Sequence, residues 1–89
     1  MIQRNLTIVN ELGLHARAAT KLAAAAGRYE SAIRTGKEPP FIDAKSIMSL
    51  MLLAASQGTE LLFEFDGPDE THACDEITQL LADYFGEGK

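Results

Sequence analysis

This chain is short of cysteine, of long apolar runs and, in its second half, of positive charge. Each shortage excludes something. A lone Cys74 forms no internal disulfide and has no metal-ligand spacing around it, so packing alone must hold the fold. It falls on an apolar helical stripe, which predicts a buried cysteine rather than a reactive one. No apolar run approaches the roughly 20 residues of a membrane span. The longest, from about Ile47 to Ala55, is interrupted by Ser49. Met1-Ile2-Gln3-Arg4-Asn5 lacks the apolar stretch of a secretion signal, so a cytoplasmic protein without membrane insertion is expected. There is no phosphate-cradling GxxxxGK(S/T) loop, no carboxylate pair in a catalytic setting and no metal cluster. No metal, no cofactor and no self-sufficient enzyme are therefore expected.

The charge shortage is regional. Residues 46–89 carry one base, Lys89, against nine acids, whereas residues 1–45 carry seven bases against four acids. An acidic half argues against nucleic acid as a ligand. Several of the bases fall on or near the first expected helix, which suits an acidic protein partner docking on that side. The chain is read as a monomer.

What is present supports one domain over residues 1–89. The 89 residues are 46% hydrophobic, enough for a core. Residues 2–9 alternate as a first strand, with Ile2, Leu6 and Ile8 on one face and Arg4 the exception. Asn10 to Gly13 form a turn. Residues 16–26 read as an alanine-rich helix with a narrow inner face of Ala18, Ala19, Leu22 and Ala26, stopped by Gly27. Ser31–Lys37 is a second strand, Gly36 to Pro40 a turn, and Phe41–Ala44 a short edge strand beside the prolines. Ser46 caps a second helix that ends at Gln57-Gly58-Thr59. Glu60–Asp66 alternates clearly, with Leu61, Phe63 and Phe65 on one face. Asp69 caps a third helix whose buried stripe is Cys74, Ile77, Leu80, Leu81 and Tyr84 or Phe85. Gly86 to Lys89 reads as a frayed tail.

The order is β-α-β-β-α-β-α. Strands that bury one face each predict a four-stranded, mainly antiparallel sheet covered on one side by three helices. This is an open-faced β-sandwich of the α+β class.

The chemistry gathers at Gly13-Leu14-His15-Ala16-Arg17. A helix N-terminus offers free N–H groups and the positive end of the helix dipole, which favour anions. Arg17 adds a fork of donors suited to phosphate oxygens. An imidazole, with an ordinary pKa of about 6.5, is nucleophilic at neutral pH without an activating base. The parts needed to carry a phosphoryl group are therefore adjacent. His72, in an acidic first turn, reads as a solvated surface histidine.

The second helix is apolar almost all round. A domain with one sheet has no second layer to bury such a helix. Leu50 and Leu53 face the sheet, which turns Ile47, Met48, Met51 and Leu52 outward as a docking patch. Ser46 reads both as a cap and as a modification site whose phosphate would sit beside that patch. A regulatory binding module, switched through Ser46, is thus the rival to a carrier role for His15.

These residues resemble the HPr family, the histidine-containing phosphocarriers of bacterial phosphotransferase systems. Gly13-Leu14-His15-Ala16-Arg17 is similar to its active-site motif, and Lys45-Ser46-Ile47-Met48 to its regulatory-serine segment. Gln57-Gly58-Thr59 and the closing strand and helix also fit. The resemblance implies that His15 accepts phosphate on Nδ1 from phospho-enzyme I and passes it to enzyme IIA-type acceptors. It also implies that Arg17 assists, and that Ser46 matches the site of the HPr kinase/phosphorylase. Leu14, Lys21, Lys45, Ile47, Met48, Met51 and Leu52 are the expected partner-binding residues. The pattern departs in places. Ala18 stands where sugar-system members have proline, and Arg17-Ala18-Ala19 looks more like the nitrogen-related NPr branch. Leu12 replaces a small polar residue, and Ser49 a glycine.

Overall fold

The strand with the clearest alternation lies at the centre of the sheet. The computed structural model describes residues 1–89 and contains β1 (Ile2–Thr7), α1 (Ala16–Gly27), β2 (Ala32–Gly36), β3 (Ile42–Asp43), α2 (Ile47–Leu52), β4 (Glu60–Asp66) and α3 (Glu70–Ala82). A 3₁₀ turn, Tyr84–Gly86, follows. The sheet order is β1-β4-β2-β3, with every pairing antiparallel. Leu61, Phe63 and Phe65 of β4 are fully buried, and the two phenylalanine rings stack with centroids 6.1 Å apart. Burying each such side chain stabilises the fold by roughly 1.5–3 kcal/mol.

One face of the sheet carries the core. Ala18, Ala19, Leu22 and Ala26 of α1, Leu50 of α2, and Ala73, Cys74, Ile77 and Leu81 of α3 join the β4 side chains there. The alanines let α1 lie close against its neighbours, because apart from Leu22 that face carries nothing longer than a methyl group. The other face is polar, with Gln3 Nε2 donating to Glu64 Oε2 across β1 and β4 at 2.9 Å. Arg4 pairs opposite Phe63 on the core side but lies on an edge strand and stays exposed beside α3. The open-faced α+β sandwich expected from the pattern is the fold observed. No helix is long and apolar enough to cross a membrane.

Four local expectations need correction. Gly27 is the last residue of α1 rather than a left-handed stop. The helix closes through tight bonds from Arg28 N–H to Ala25 O and Tyr29 N–H to Ala26 O. The second helix does not reach Gln57. It ends at Leu52, and Ala54 turns left-handed at φ 51°. The freed backbone then pairs elsewhere, with Ala55 O accepting from Leu14 N–H at 2.8 Å. Asp69 occupies the cap position of α3 but does not cap it. Its carboxylate instead accepts from Glu30 N–H, Ser31 N–H and Ser31 Oγ, tying α3 to the start of β2. Finally, residues 86–89 are not simply a frayed tail: Glu87 folds back onto His15.

Candidate phosphoryl-acceptor site

His15 is the cap of α1. Its backbone is extended, with φ −77° and ψ 178°, and its Nδ1 accepts a hydrogen bond from Arg17 N–H at 3.3 Å. Nδ1 therefore presents a lone pair at the mouth of the helix. Within the chain, the N–H groups of Ala16 and Ala18 find no acceptor. They point the helix's positive end at the same place.

The loop before His15 is held tightly. Gly13 has φ 70°, and a Cβ there would lie 2.7 Å from Ala55 O. Only glycine fits both the left-handed backbone and the close approach. Asn10, fully buried, donates Nδ2 to Gly13 O at 2.8 Å. Leu14 packs into the core at 5% exposure. Its expected place on the partner-binding surface is thus corrected: the side chain anchors the loop and offers no surface.

The C-terminus completes the site. Tyr84, Phe85 and Gly86 are all left-handed, with φ of 56°, 53° and 76°. Such conformations cost about 1–2 kcal/mol for each residue with a Cβ. Burial of Phe85 offsets this, and Lys21 Nζ donates to Phe85 O at 2.6 Å. The turn carries Glu87 back over His15. Glu87 Oε2 lies 2.5 Å from His15 Nε2, and Asn10 Nδ2 donates to Glu87 Oε1 at 3.0 Å. Burial works to raise the Glu87 carboxyl. Hydrogen bonds from Asn10 and His15, with the charges of His15 and Lys21, outweigh it and hold the group below the ordinary carboxylate range. Sequence reasoning missed Glu87. The available signal was Phe85, a core-sized residue just before Gly86, which keeps the chain at the core's edge for two further positions.

Arg17, Lys21 and Lys89 line a cleft beside His15, with Leu12, Gly86 and Glu87. Arg17 is exposed and makes no ion pair, so its guanidinium is free to take an anion. Lys21 lies in the same cleft but spends one donor on the C-terminal turn. The arrangement suits nucleophilic attack by Nδ1 on an exposed phosphoryl group, with helix N–H groups and Arg17 receiving its oxygens.

The second cluster lies on α2. Ser46 Oγ accepts from Ser49 N–H at 3.2 Å, so it caps as expected. Met48 and Leu52 are 75% and 81% exposed, and Ile47 and Met51 also face solvent, while Leu50 is buried. Lys45 is half-buried and its Nζ donates to Tyr29 O at 2.7 Å, which ties its charge to the chain itself. Contacts between α1 and α2 bring the apolar helix to the same side of the molecule as the histidine helix.

Comparison with known proteins shows the family. A family model described as the PTS HPr component phosphorylation site matches residues 2–83. Phosphocarrier protein HPr of Cupriavidus necator is 48% identical over 89 residues, covering all of both chains. Its namesake from Neisseria meningitidis is 43% identical over the same length and coverage. Among solved structures, HPr-C-His from Thermoanaerobacter tengcongensis superposes with a TM-score of 0.93 at 36% identity, covering 98% of each chain. The fold, the histidine-capped helix and these full-length relatives agree, and the chain belongs to the HPr family of phosphotransferase-system phosphocarriers, which carry a group rather than catalyse a reaction.

Proposed function

We propose that His15 accepts a phosphoryl group on Nδ1 from phosphorylated enzyme I and passes it to enzyme IIA-type acceptors. The observation that carries this reading is the position of Nδ1, which accepts from Arg17 N–H in the first turn of α1 and so lies at the helix N-terminus. In the forward step the Nδ1 lone pair bonds to phosphorus. The bond from phosphorus to the donor breaks, and its electron pair leaves with the donor. The Arg17 N–H, no longer bound to the ring lone pair, turns to a phosphoryl oxygen, and the guanidinium clamps the others. The site is partly open to solvent, with the His15 side chain 28% exposed, which suits handing the group on rather than storing it.

Incubation with phosphoenolpyruvate and enzyme I should add one acid-labile phosphate. Unchanged mass for the wild type, or labelling that persists in His15→Ala, would sink the assignment.

A second role rests on α2. Ser46 caps a helix whose outward face is Ile47, Met48, Met51 and Leu52. Phosphate on Ser46, placed by a kinase of the HPr kinase/phosphorylase type, would set negative charge against that apolar surface and change which partners dock there. In the nitrogen-related branch this binding role would dominate. Ser46→Asp should shift the affinity for enzyme I or an enzyme IIA-type acceptor; equal affinity for every partner tried would remove the switch.

A further inference from the structure

The contact between Glu87 and His15 falls on the ring nitrogen that does not carry the group. A neutral imidazole has one N–H, and a carboxylate only accepts hydrogen bonds. The 2.5 Å contact therefore places the proton on Nε2. The Arg17 N–H donating to Nδ1 demands a lone pair at that atom. Both contacts select the same tautomer, the one whose nucleophilic nitrogen faces the helix mouth.

We propose that Glu87 is a positioning residue for phosphoryl transfer: its carboxylate keeps the His15 proton on Nε2 and faces the positive charge that the ring gains when Nδ1 bonds to phosphorus. This rests on the carrier reading of His15. When the Nδ1 lone pair becomes the N–P bond, the ring keeps its Nε2–H and takes a formal positive charge. When an acceptor attacks phosphorus, the N–P electron pair returns to Nδ1 and the ring is neutral again. The proton stays on Nε2 in both directions, so neither step waits for a proton transfer. Glu87 faces the ring cation on the side away from the phosphoryl group.

The rest of the structure supports a placed carboxylate. Three consecutive left-handed residues bend the chain to bring it there. Asn10, fully buried, fixes its second oxygen. The Glu87 side chain is 11% exposed, so little water competes for the contact. A negative group beside an incoming anion does not aid binding. Its benefit belongs to the bond-making step, and the effect of removing it belongs to kcat.

The experiment uses the full chain as substrate of enzyme I and the ring nitrogens as reporters. In Glu87→Ala, kcat for phosphorylation should fall about tenfold with KM within twofold of wild type. Nitrogen NMR of the His15 ring should show the Nδ1–H form gaining population. Glu87→Gln carries no charge and keeps one oxygen that accepts from Nε2–H, while its NH2 group gives up the hydrogen bond from Asn10 Nδ2. It should keep the wild-type tautomer and lose only about threefold in kcat. Wild-type kcat in Glu87→Ala would overturn the proposal, as would a loss carried by KM with the nitrogen shifts unmoved. Both results leave His15-dependent labelling intact, so they separate failure here from failure of the carrier reading, which shows as labelling of His15→Ala.

Discussion

Two helices of this protein begin with a side chain able to carry phosphate, and they are built differently. At α1 the cap is His15, the helix is 12 residues long, and the inner face is nearly all alanine. A buried asparagine, a placed carboxylate and unpaired Arg17 surround the cap. At α2 the cap is Ser46, the helix is 6 residues long, and exposed Met48 and Leu52 follow. The nearest base, Lys45, is tied to Tyr29 O. The first cap sits in a site pre-set for an anion. The second sits at the edge of an apolar surface with no charge held ready to receive a phosphate. A carrier must bind the group well enough to take it and loosely enough to lose it, and under the proposed role the partly exposed first site suits both. The proposed modification at the second site would find no such local support and would act by altering the surface beside it.

The largest test of this contrast strikes the loop that holds His15. Gly13→Ala places a methyl group against Ala55 O in a left-handed backbone. Conformational strain and overpacking together should cost roughly 2–5 kcal/mol. Urea unfolding measures this as a lowered midpoint. A midpoint unchanged from wild type would mean that the loop relaxes freely and the α1 site is not pre-set. Next comes Arg17→Ala, which removes the charged donor without touching the core. Hydrogen bonds to charged groups are worth about 1.5–3 kcal/mol, so transfer from enzyme I should slow about 10- to 100-fold with little change in unfolding. An equal rate in the variant would leave the helix N–H groups as sufficient, and the two caps would then differ less than their surroundings suggest.

The elements that proved legible from sequence were those whose reason is local. Leu61, Phe63 and Phe65 announce a strand by alternation, and the alanines of α1 announce a helix by propensity. His15 and Arg17 stand two positions apart, so their meeting at one helix end needs no knowledge of the fold. Misread features were those decided at long range. Asp69 has the right type and place for a cap, but its carboxylate finds better partners 38 residues away in Ser31. Ala54 belongs to the longest apolar run, but docking of its neighbour Ala55 on Leu14 ends the helix early. Glu87 lies 72 residues from His15 and follows a turn of three left-handed residues, two of them aromatic, a conformation that propensity argues against. Leu14 reads as a loop residue on the rim and is instead the loop's anchor.

A smaller effect separates the caps by what they hold. Ser46→Ala removes one hydrogen bond, to Ser49 N–H, and should cost about 1 kcal/mol in stability. Phosphorylation of His15 should proceed at the wild-type rate, because no contact of Ser46 reaches that site. A slowed transfer would show that the two helix starts are coupled through the packing of α1 on α2.

The third helix supplies the control, because its cap-position residue is charged and does not cap. Hydrogen bonds from Ser31 Oγ and from the N–H groups of Glu30 and Ser31 lower the Asp69 carboxyl below the ordinary carboxylate value, against a smaller opposing effect of burial. A group depressed on folding contributes stability that is complete above its unfolded pKa, about 4, and is lost as pH falls through the lower folded value. Asp69→Asn should therefore flatten the acid limb of the stability curve, while the variant and wild type lose stability alike from other causes. Thermal melts at successive pH values below about 4 measure the difference. Parallel curves would mean that the carboxylate is equally placed in the unfolded chain. Divergent ones would show that an acid at a helix start works here as a brace between α3 and β2, in contrast to His15 and Ser46, whose side chains bind the helices they begin.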